Sequence, residues 1–338
     1  MKILLTADPE IPVPPVLYGG IERIIDMIIR EYHSLGHEVF LVAHRDSQTP
    51  ATLIPYPGTS PRRLTDTVQN LLTVRKALAV RPDVIHSFGR LAYLLAALPA
   101  RIPKIMSYQR EPTARTVRQA MMLARKGTLS FTGCSDYITR QIQPFAPAAT
   151  VYNGVPTDRY QFNPSVSVDA PMVFLGRLEP VKGPHLAIEL AKRTNRRLIL
   201  AGNIPDEHRA WVESEVLSQV DGSHITYIGP VNDTQKNDLL SQAAAFLMLI
   251  DWNEPFGIVM AEALACGTPV IGLAKGSVPE VVLHGKTGFV CPDMETAIRS
   301  VEQLPGLSRE ACRHDAENRF SQQVIAQAYL KLYREKIG

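Results

Sequence analysis

The sequence predicts an α/β protein of two doubly wound domains that face one another across a cleft. Three observations predict it. Apolar runs of strand length recur through both halves with little in–out alternation, segments of helical period separate many of them, and a stretch rich in Pro, Ser and Asp interrupts the pattern near the middle. Continuous apolar strands spaced by helices indicate parallel sheets covered on both faces. Ligands of such sheets bind beyond the carboxyl ends of the strands, so two facing sheets create one cleft.

In chain order, "KILLTA" (2–7), "HEVFLVA" (37–43), "DVIHSF" (83–88), "KIMSYQ" (104–109) and "LSFTGCS" (129–135) read as buried strands, with helical segments at 21–34 and 66–80. After "VYNGV" (151–155) the pattern dissolves into "PTDRYQFNPSVSVDAP", a linker by composition. It restarts with "MVFLGR" (172–177), "RLILAG" (197–202), "HITYIG" (224–229), "AAFLMLI" (244–250), "PVIGLA" (269–274) and "GFVCP" (288–292). The expected domains are 1–160 and 161–320. An amphipathic helix, 321–338, apolar near 324, 325, 328, 329 and 332, is expected to pack back on the first domain.

A length of 338 residues suits two domains at roughly 100–200 residues each. The net charge of +3 gives no basic excess of the kind nucleic acid demands. The four cysteines, at 134, 266, 291 and 312, include no CxxC pair, so neither a zinc site nor a disulfide framework is expected. The apolar run before Asp8 is too short for a secretory signal. Stretches such as "LAYLLAALPA" fall short of the roughly 18 residues that cross a bilayer. A soluble, cytoplasmic protein is the expectation. "HGKTG" (284–288) is not a phosphate loop, because position 280 is Glu where that motif needs Gly, and no G-x-G-x-x-G occurs.

The chemistry concentrates in "WNEPFGIVMAEALACGTPVIG" (252–272). A helix that is apolar all round is buried, yet Glu262 lies within it and Glu254 stands at its entrance. A buried polar group without a partner costs about 1–3 kcal/mol, and a charge more. Either a distant basic residue or a ligand hydroxyl must therefore meet Glu262. The first-turn amides make an anion seat, and Gly257 lets a ligand approach the backbone. "GRLEPVKG" (176–183) places Arg177 and Lys182 just after a strand, where two cations can stabilise a leaving diphosphate. "LYGGIER" (17–23) puts Gly19 and Gly20 at another helix start. Together these outline a pocket for a sugar nucleotide.

The motifs "GRLEPVKG", "VYNGV", "YIGPVND" (227–233) and above all "EPFGIVMAE" with "ALACGTPVIG" resemble glycosyltransferase family four, and "YGGIER" and "SLGHEVFLVA" resemble its N-terminal signatures. The resemblance covers nearly the whole chain. It implies a GT-B fold of two facing Rossmann-like domains and a retaining, metal-independent transferase using a nucleoside-diphosphate sugar such as a UDP-sugar. No cofactor or metal is implied; the partners are the nucleotide-sugar donor and an unidentified acceptor. By resemblance, Glu262 binds the ribose hydroxyls. Glu254, with the backbone around Phe256 and Gly257, holds the donor sugar. The amides of Ile258 and Val259, with Gly19 or Gly20, touch the diphosphate. Arg177 and Lys182 stabilise the leaving phosphate, and Val231 and Asp233 line the base site. Acceptor contacts are expected from 8–18 and 107–116.

Where many relatives carry a histidine after the fourth strand, this chain has "SYQREP", offering Gln109 and Arg110. His86, at the end of "DVIHSF", is a catalytic candidate by position, although a lone histidine at a strand end is more often structural. Arg115, Arg118, Arg125 and Lys126 form a basic segment that reads as a solvated face or a peripheral membrane contact. "GSVPE" (276–280) reads as a capping box of Ser277 and Glu280. The alternatives to a transferase are a nucleotide-sugar 2-epimerase and an inactive sugar-nucleotide-binding protein.

Overall fold

The structure, a computed structural model, describes residues 1–16, 19–60 and 62–338. It divides into two compact units, Met1–Gly154 with Gln322–Gly338, and Val155–Ser321.

The first unit is built on a parallel sheet of β1 (Lys2–Thr6), β2 (Glu38–Ala43), β3 (Thr52–Pro55), β4 (Val84–Ser87), β5 (Lys104–Tyr108), β6 (Leu129–Gly133) and β7 (Ala148–Thr150). The strand order is β3-β2-β1-β4-β5-β6-β7. Strands β1, β4 and β6 are buried almost throughout, as continuous apolar runs require. The edge strands β3 and β7 were not among the expected runs. They are short, half-exposed and lie against prolines, so neither makes an apolar run.

The helix Gln322–Ile337 belongs to this unit, packed on the helix Gly20–Ser34. Its buried face is set one position away from the expected stripe: Ile325, Ala326, Tyr329, Leu330 and Tyr333 are inside, while Val324 is 37% exposed. Tyrosines hold the interior positions because polar partners meet them there. Tyr32 Oη donates to Tyr333 Oη at 3.0 Å, and Ser107 Oγ lies 3.3 Å from Tyr329 Oη.

The second unit repeats the plan with β8 (Met172–Leu175), β9 (Leu198–Ala201), β10 (Ile225–Tyr227), β11 (Ala245–Met248), β12 (Val270–Leu273) and β13 (Gly288–Cys291), in the order β10-β9-β8-β11-β12-β13. All its strand pairs are parallel. The stretch read as a linker does more than connect. Phe162 lies so close to Gly267 that a Cβ there would come within 2.8 Å of the ring. Asn163 O accepts from Arg309 Nε at 2.7 Å. The buried Arg309 guanidinium also donates to Ala243 O, Ser241 O and Thr268 Oγ1 at 2.8–2.9 Å, tying a helix of the C-terminal half to the loops beneath it.

Candidate active site

In each sheet the strand order reverses at one point, and a crevice opens beyond the strand ends there. In the second unit the reversal lies between β8 and β11. The loop after β8 carries Arg177 and Lys182; the loop after β11 carries Trp252 and Glu254. Backbone contacts lace the two loops. Asp251 N donates to Val181 O at 2.8 Å, and Gly183, with φ 73°, packs so closely that a Cβ would stand 1.8 Å from Leu249 O. Only glycine fits there.

This lacing brings the chosen side chains together. Lys182 Nζ lies 2.8 Å from Glu254 Oε2, Trp252 Nε1 donates to the same oxygen at 3.1 Å, and the ammonium stands 4.3 Å over the Trp252 ring. Arg177 Nη2 lies 2.8 Å from Glu179 Oε1, and His208 Nε2 is 3.8 Å from the other oxygen of that buried carboxylate. Each predicted cation is therefore already paired with a carboxylate of its own loop system. The backbone of Glu254 is fixed as well: its carbonyl accepts from Ser277 N at 2.9 Å, and Gly276 lies against it.

The helix Ile258–Ala265 starts at Gly257, whose φ of 73° turns the chain into it. Phe256 is buried beside it, and Ile258 and Val259 are half-buried at its first turn, where amides have no intrahelical acceptor. Glu262 is 4% exposed. The protein itself answers its charge: Tyr160 Oη donates to Glu262 Oε1 at 2.6 Å and Lys236 Nζ lies 2.5 Å from the same oxygen. Among the described residues nothing donates to Oε2, which keeps its acceptor capacity. The basic partner comes from another helix, Asp233–Ser241, whose first residue Asp233 lies 3.4 Å from Lys236. A capping box of Asn232 and Gln235 begins that helix and holds the half-buried Val231 in place.

Tyr160, Lys236, Glu179 and Trp252 were missed by sequence reasoning. Lys236 and Trp252 could have been found, the first one turn beyond Asp233 and the second two residues before Glu254. Tyr160 lay in the apparent linker. The capping box expected at Ser277 does not form: Ser277 has helical dihedrals, and its Oγ is buried without a partner among the described residues.

In the first unit, Leu17 and Tyr18 of "LYGGIER" lie outside the described residues. Gly19 precedes the helix Gly20–Ser34, and the mouth of that helix already holds an anion of its own. The Glu22 carboxylate stands so near that a Cβ on Gly19 would be 2.8 Å from Oε2. His86 is fully buried, with Nδ1 2.5 Å from Tyr333 Oη and Nε2 2.6 Å from Ser107 Oγ. Since Tyr333 Oη accepts from Tyr32, it donates to Nδ1, and the proton sits on Nε2 by the logic of the network. Burial pushes the imidazole pKa down to about 3. A neutral ring with both nitrogens committed inside the core packs the C-terminal helix; it is not placed for catalysis.

Gln109 and Arg110 follow β5, with Gln109 Nε2 buried and unpartnered among the described residues. Of the basic segment only Arg115 and Arg118 lie on the helix Ala114–Leu123, since it ends before Arg125 and Lys126 and the four form no single helical face; Arg118 stands 4.5 Å over the Phe145 ring, and Met122 and Leu123 are exposed. Among the described residues there is no metal-ligand cluster of three His, Cys, Asp or Glu side chains, and no helix long and apolar enough to cross a membrane.

Comparison with known proteins bears on this geometry. Residues 18–159 match the family model described as Glycosyltransferase Family 4, and 161–319 match that of Glycosyl transferases group 1. The chain is similar to spore coat protein SA of Bacillus subtilis, 25% identical over 99% of this chain and all of that protein. It is also similar to D-inositol 3-phosphate glycosyltransferase of Rhodococcus jostii, 29% identical over 66% of this chain but only 56% of that protein's length. Among solved structures, AviGT4, a glycosyltransferase involved in avilamycin A biosynthesis, superposes with a TM-score of 0.73 at 24% identity, covering 99% of this chain and 98% of that one. HepE of Anabaena gives 0.78 at 19% identity, covering 99% and 100%. With two parallel-sheet α/β domains of GT-B type and both family models matched along its length, the chain belongs to the family-four glycosyltransferases.

Proposed function

We propose that this glycosyltransferase moves a sugar from a nucleoside-diphosphate donor to an acceptor hydroxyl with retention of anomeric configuration and without a metal ion. The observation that carries the reading is the convergence of Arg177, Lys182, Glu254 and the first turn of Ile258–Ala265 at one strand-order reversal. In this reading the Ile258 and Val259 amides, Arg177 and Lys182 meet the diphosphate, Glu254 and the backbone at Phe256 and Gly257 accept the donor sugar, and Glu262 Oε2 takes a ribose hydroxyl. Val231 and Asp233 border the base. Gly19 and Gly20 are proposed as amide donors, in competition with the Glu22 carboxylate already at that helix mouth. The HepE structures with UDP and with UDP-glucose support UDP as the nucleotide here.

The bond from the anomeric carbon to the diphosphate oxygen breaks as the bond to the acceptor oxygen forms on the same face of the sugar. The acceptor proton passes to the departing diphosphate. Charge grows on that phosphate in the transition state, and the two cations stabilise it where it grows. Proton NMR of the first-formed glycoside, with the assay run in EDTA, tests both finer claims. An inverted anomeric centre overturns retention, and loss of turnover in the chelator overturns metal independence.

The protein is further proposed to be cytoplasmic, with the helix Ala114–Leu123 making a peripheral contact with anionic lipid. Exposed Met122 (77%) and Leu123 (55%) between Arg118 and Arg125 favour that contact. Co-sedimentation with phosphatidylglycerol vesicles, lost in Met122→Ser with Leu123→Ser, is the expected result. Equal sedimentation of the two proteins would contradict it.

A further inference from the structure

Two carboxylates of the second unit are held in the same way, although their partners come from different parts of the chain. At Glu262, Tyr160 Oη at 2.6 Å and Lys236 Nζ at 2.5 Å both meet Oε1, and the ammonium lies 5.7 Å from the centre of the Tyr160 ring. At Glu254, Trp252 Nε1 at 3.1 Å and Lys182 Nζ at 2.8 Å both meet Oε2, and the ammonium lies 4.3 Å from the centre of the Trp252 ring. In each case no residue among those described donates to the second oxygen. A lysine alone would answer the charge. The aromatic donor adds direction, because a phenol or an indole offers one hydrogen from a rigid ring, whereas an ammonium turns three on a flexible stem.

The two rings are themselves anchored through their chain segments. Asn237 Nδ2 donates to Arg159 O at 3.0 Å, its Oδ1 accepts from Gln161 N at 2.9 Å, and Arg313 Nη1 donates to Tyr160 O at 2.9 Å, so the backbone is tied on both sides of Tyr160 and at it. Burial first, and the charge of Glu262 after it, raise the Tyr160 phenol well above its ordinary range, so it remains a donor. Trp252 follows Asp251, whose amide donates to Val181 O at 2.8 Å and whose carboxylate pairs with Lys275 Nζ.

We infer that Tyr160 and Trp252 are positioning residues, each fixing one oxygen of a carboxylate so that the other is presented to a hydroxyl of the donor. The inference rests on the donor reading above, with a ribose hydroxyl at Glu262 and a sugar hydroxyl at Glu254. The two arrangements differ in one respect. Lys236 has no assigned ligand, so Glu262 keeps both partners. Lys182 is assigned to phosphate, so Trp252 is the partner that still holds Glu254 when the diphosphate draws the ammonium away. Tyr160 therefore acts on the nucleotide, and Trp252 on the sugar alone.

Calorimetric titration of wild type, Tyr160→Phe and Trp252→Phe with UDP, UDP-glucose, GDP and GDP-mannose tests this, since each substitution keeps an aromatic ring and removes the donor. For the nucleotide that wild type binds, Tyr160→Phe should weaken the free diphosphate and its sugar alike, by about tenfold, the worth of a hydrogen bond to a charged group. Trp252→Phe should leave the free diphosphate within about twofold and weaken the nucleotide sugar by about tenfold. In a Glu262→Ala background, Tyr160→Phe should cost nothing further, because a positioning residue acts only through the group it holds. Equal loss of both ligands in Trp252→Phe, unchanged affinities in either variant, or a Tyr160→Phe loss that persists in Glu262→Ala overturns the inference and leaves the donor site standing. Binding of neither nucleotide by wild type overturns the donor reading itself, and the inference with it. Trp252 is 37% exposed, so its variant serves if Tyr160→Phe does not fold.

Discussion

Lys182 Nζ lies 2.8 Å from Glu254 Oε2, so the cation assigned to the diphosphate is held by the carboxylate assigned to the donor sugar. Each holds the other in place, with Trp252 bonded to the same oxygen and lying beneath the ammonium. On the reading proposed above, donor binding would exchange this pair, with phosphate taking Lys182 and Glu254 turning to sugar hydroxyls.

That exchange predicts opposite effects from one substitution. Glu254→Gln frees Lys182, so free UDP should bind up to about fivefold more tightly, the worth of a partly exposed ion pair. Transfer should nevertheless fall by roughly a hundredfold, as the sugar loses its positioning contact. Calorimetry and steady-state kinetics on one preparation check both. UDP binding weakened in parallel with turnover would contradict the exchange.

Lys182→Ala and Arg177→Ala should each lower kcat by about 10²–10³, as for removal of a donor aimed at developing charge. The KM for the donor should move much less. A rise in KM with kcat preserved would assign the two cations to ground-state binding.

His86 gives a prediction in pH. Its pKa falls from an ordinary 6.5 to about 3 in the folded protein. The unfolded chain therefore takes up the proton first, and the stability that goes with a neutral buried ring is present in full above about pH 6.5. It is lost as the pH falls toward 3, at about 1.4 kcal/mol per unit. Urea denaturation of wild type and His86→Gln at pH 7 and pH 5 should show the wild-type advantage shrinking by about 2 kcal/mol. An advantage independent of pH would mean that the ring is not held neutral.

Arg309 predicts a fold defect without a site defect. Among the described residues its guanidinium has no carboxylate partner, and it satisfies three backbone carbonyls and Thr268 Oγ1 at 2.7–2.9 Å. Arg309→Met leaves those acceptors buried and unpaired, at a cost of roughly 3–5 kcal/mol. Thermal unfolding checks this, and a Tm within a degree or two of wild type would contradict it.

The continuous apolar runs made the interior strands legible, because a strand buried on both faces needs no partner to be recognised. The edge strands β3 and β7 were not legible: half-exposed and bordered by proline, they are strands only because a neighbour pairs with them. The same division holds in the site. Glu254, Glu262, Arg177 and Lys182 stand in contiguous motifs whose composition contradicts its surroundings, and a carboxylate in an apolar helix asks for an explanation. Their partners come from far along the chain. Tyr160 and Lys236 reach Glu262 from positions 102 and 26 residues away, and that separation is set by tertiary packing rather than by local pattern. His86 was misjudged for a related reason: its partner Tyr333 is 247 residues distant, on the face of the last helix that the apolar spacing had set one position off.

Calorimetric titration of UDP, GDP, ADP and NAD into wild type and Glu262→Gln tests the donor site most directly. If Glu262 holds the ribose, one nucleoside diphosphate binds, NAD does not, and the substitution weakens the nucleotide by roughly 10- to 100-fold through loss of the charged acceptor for a ribose hydroxyl. Binding by no nucleoside diphosphate, or equal binding by wild type and variant, would contradict it.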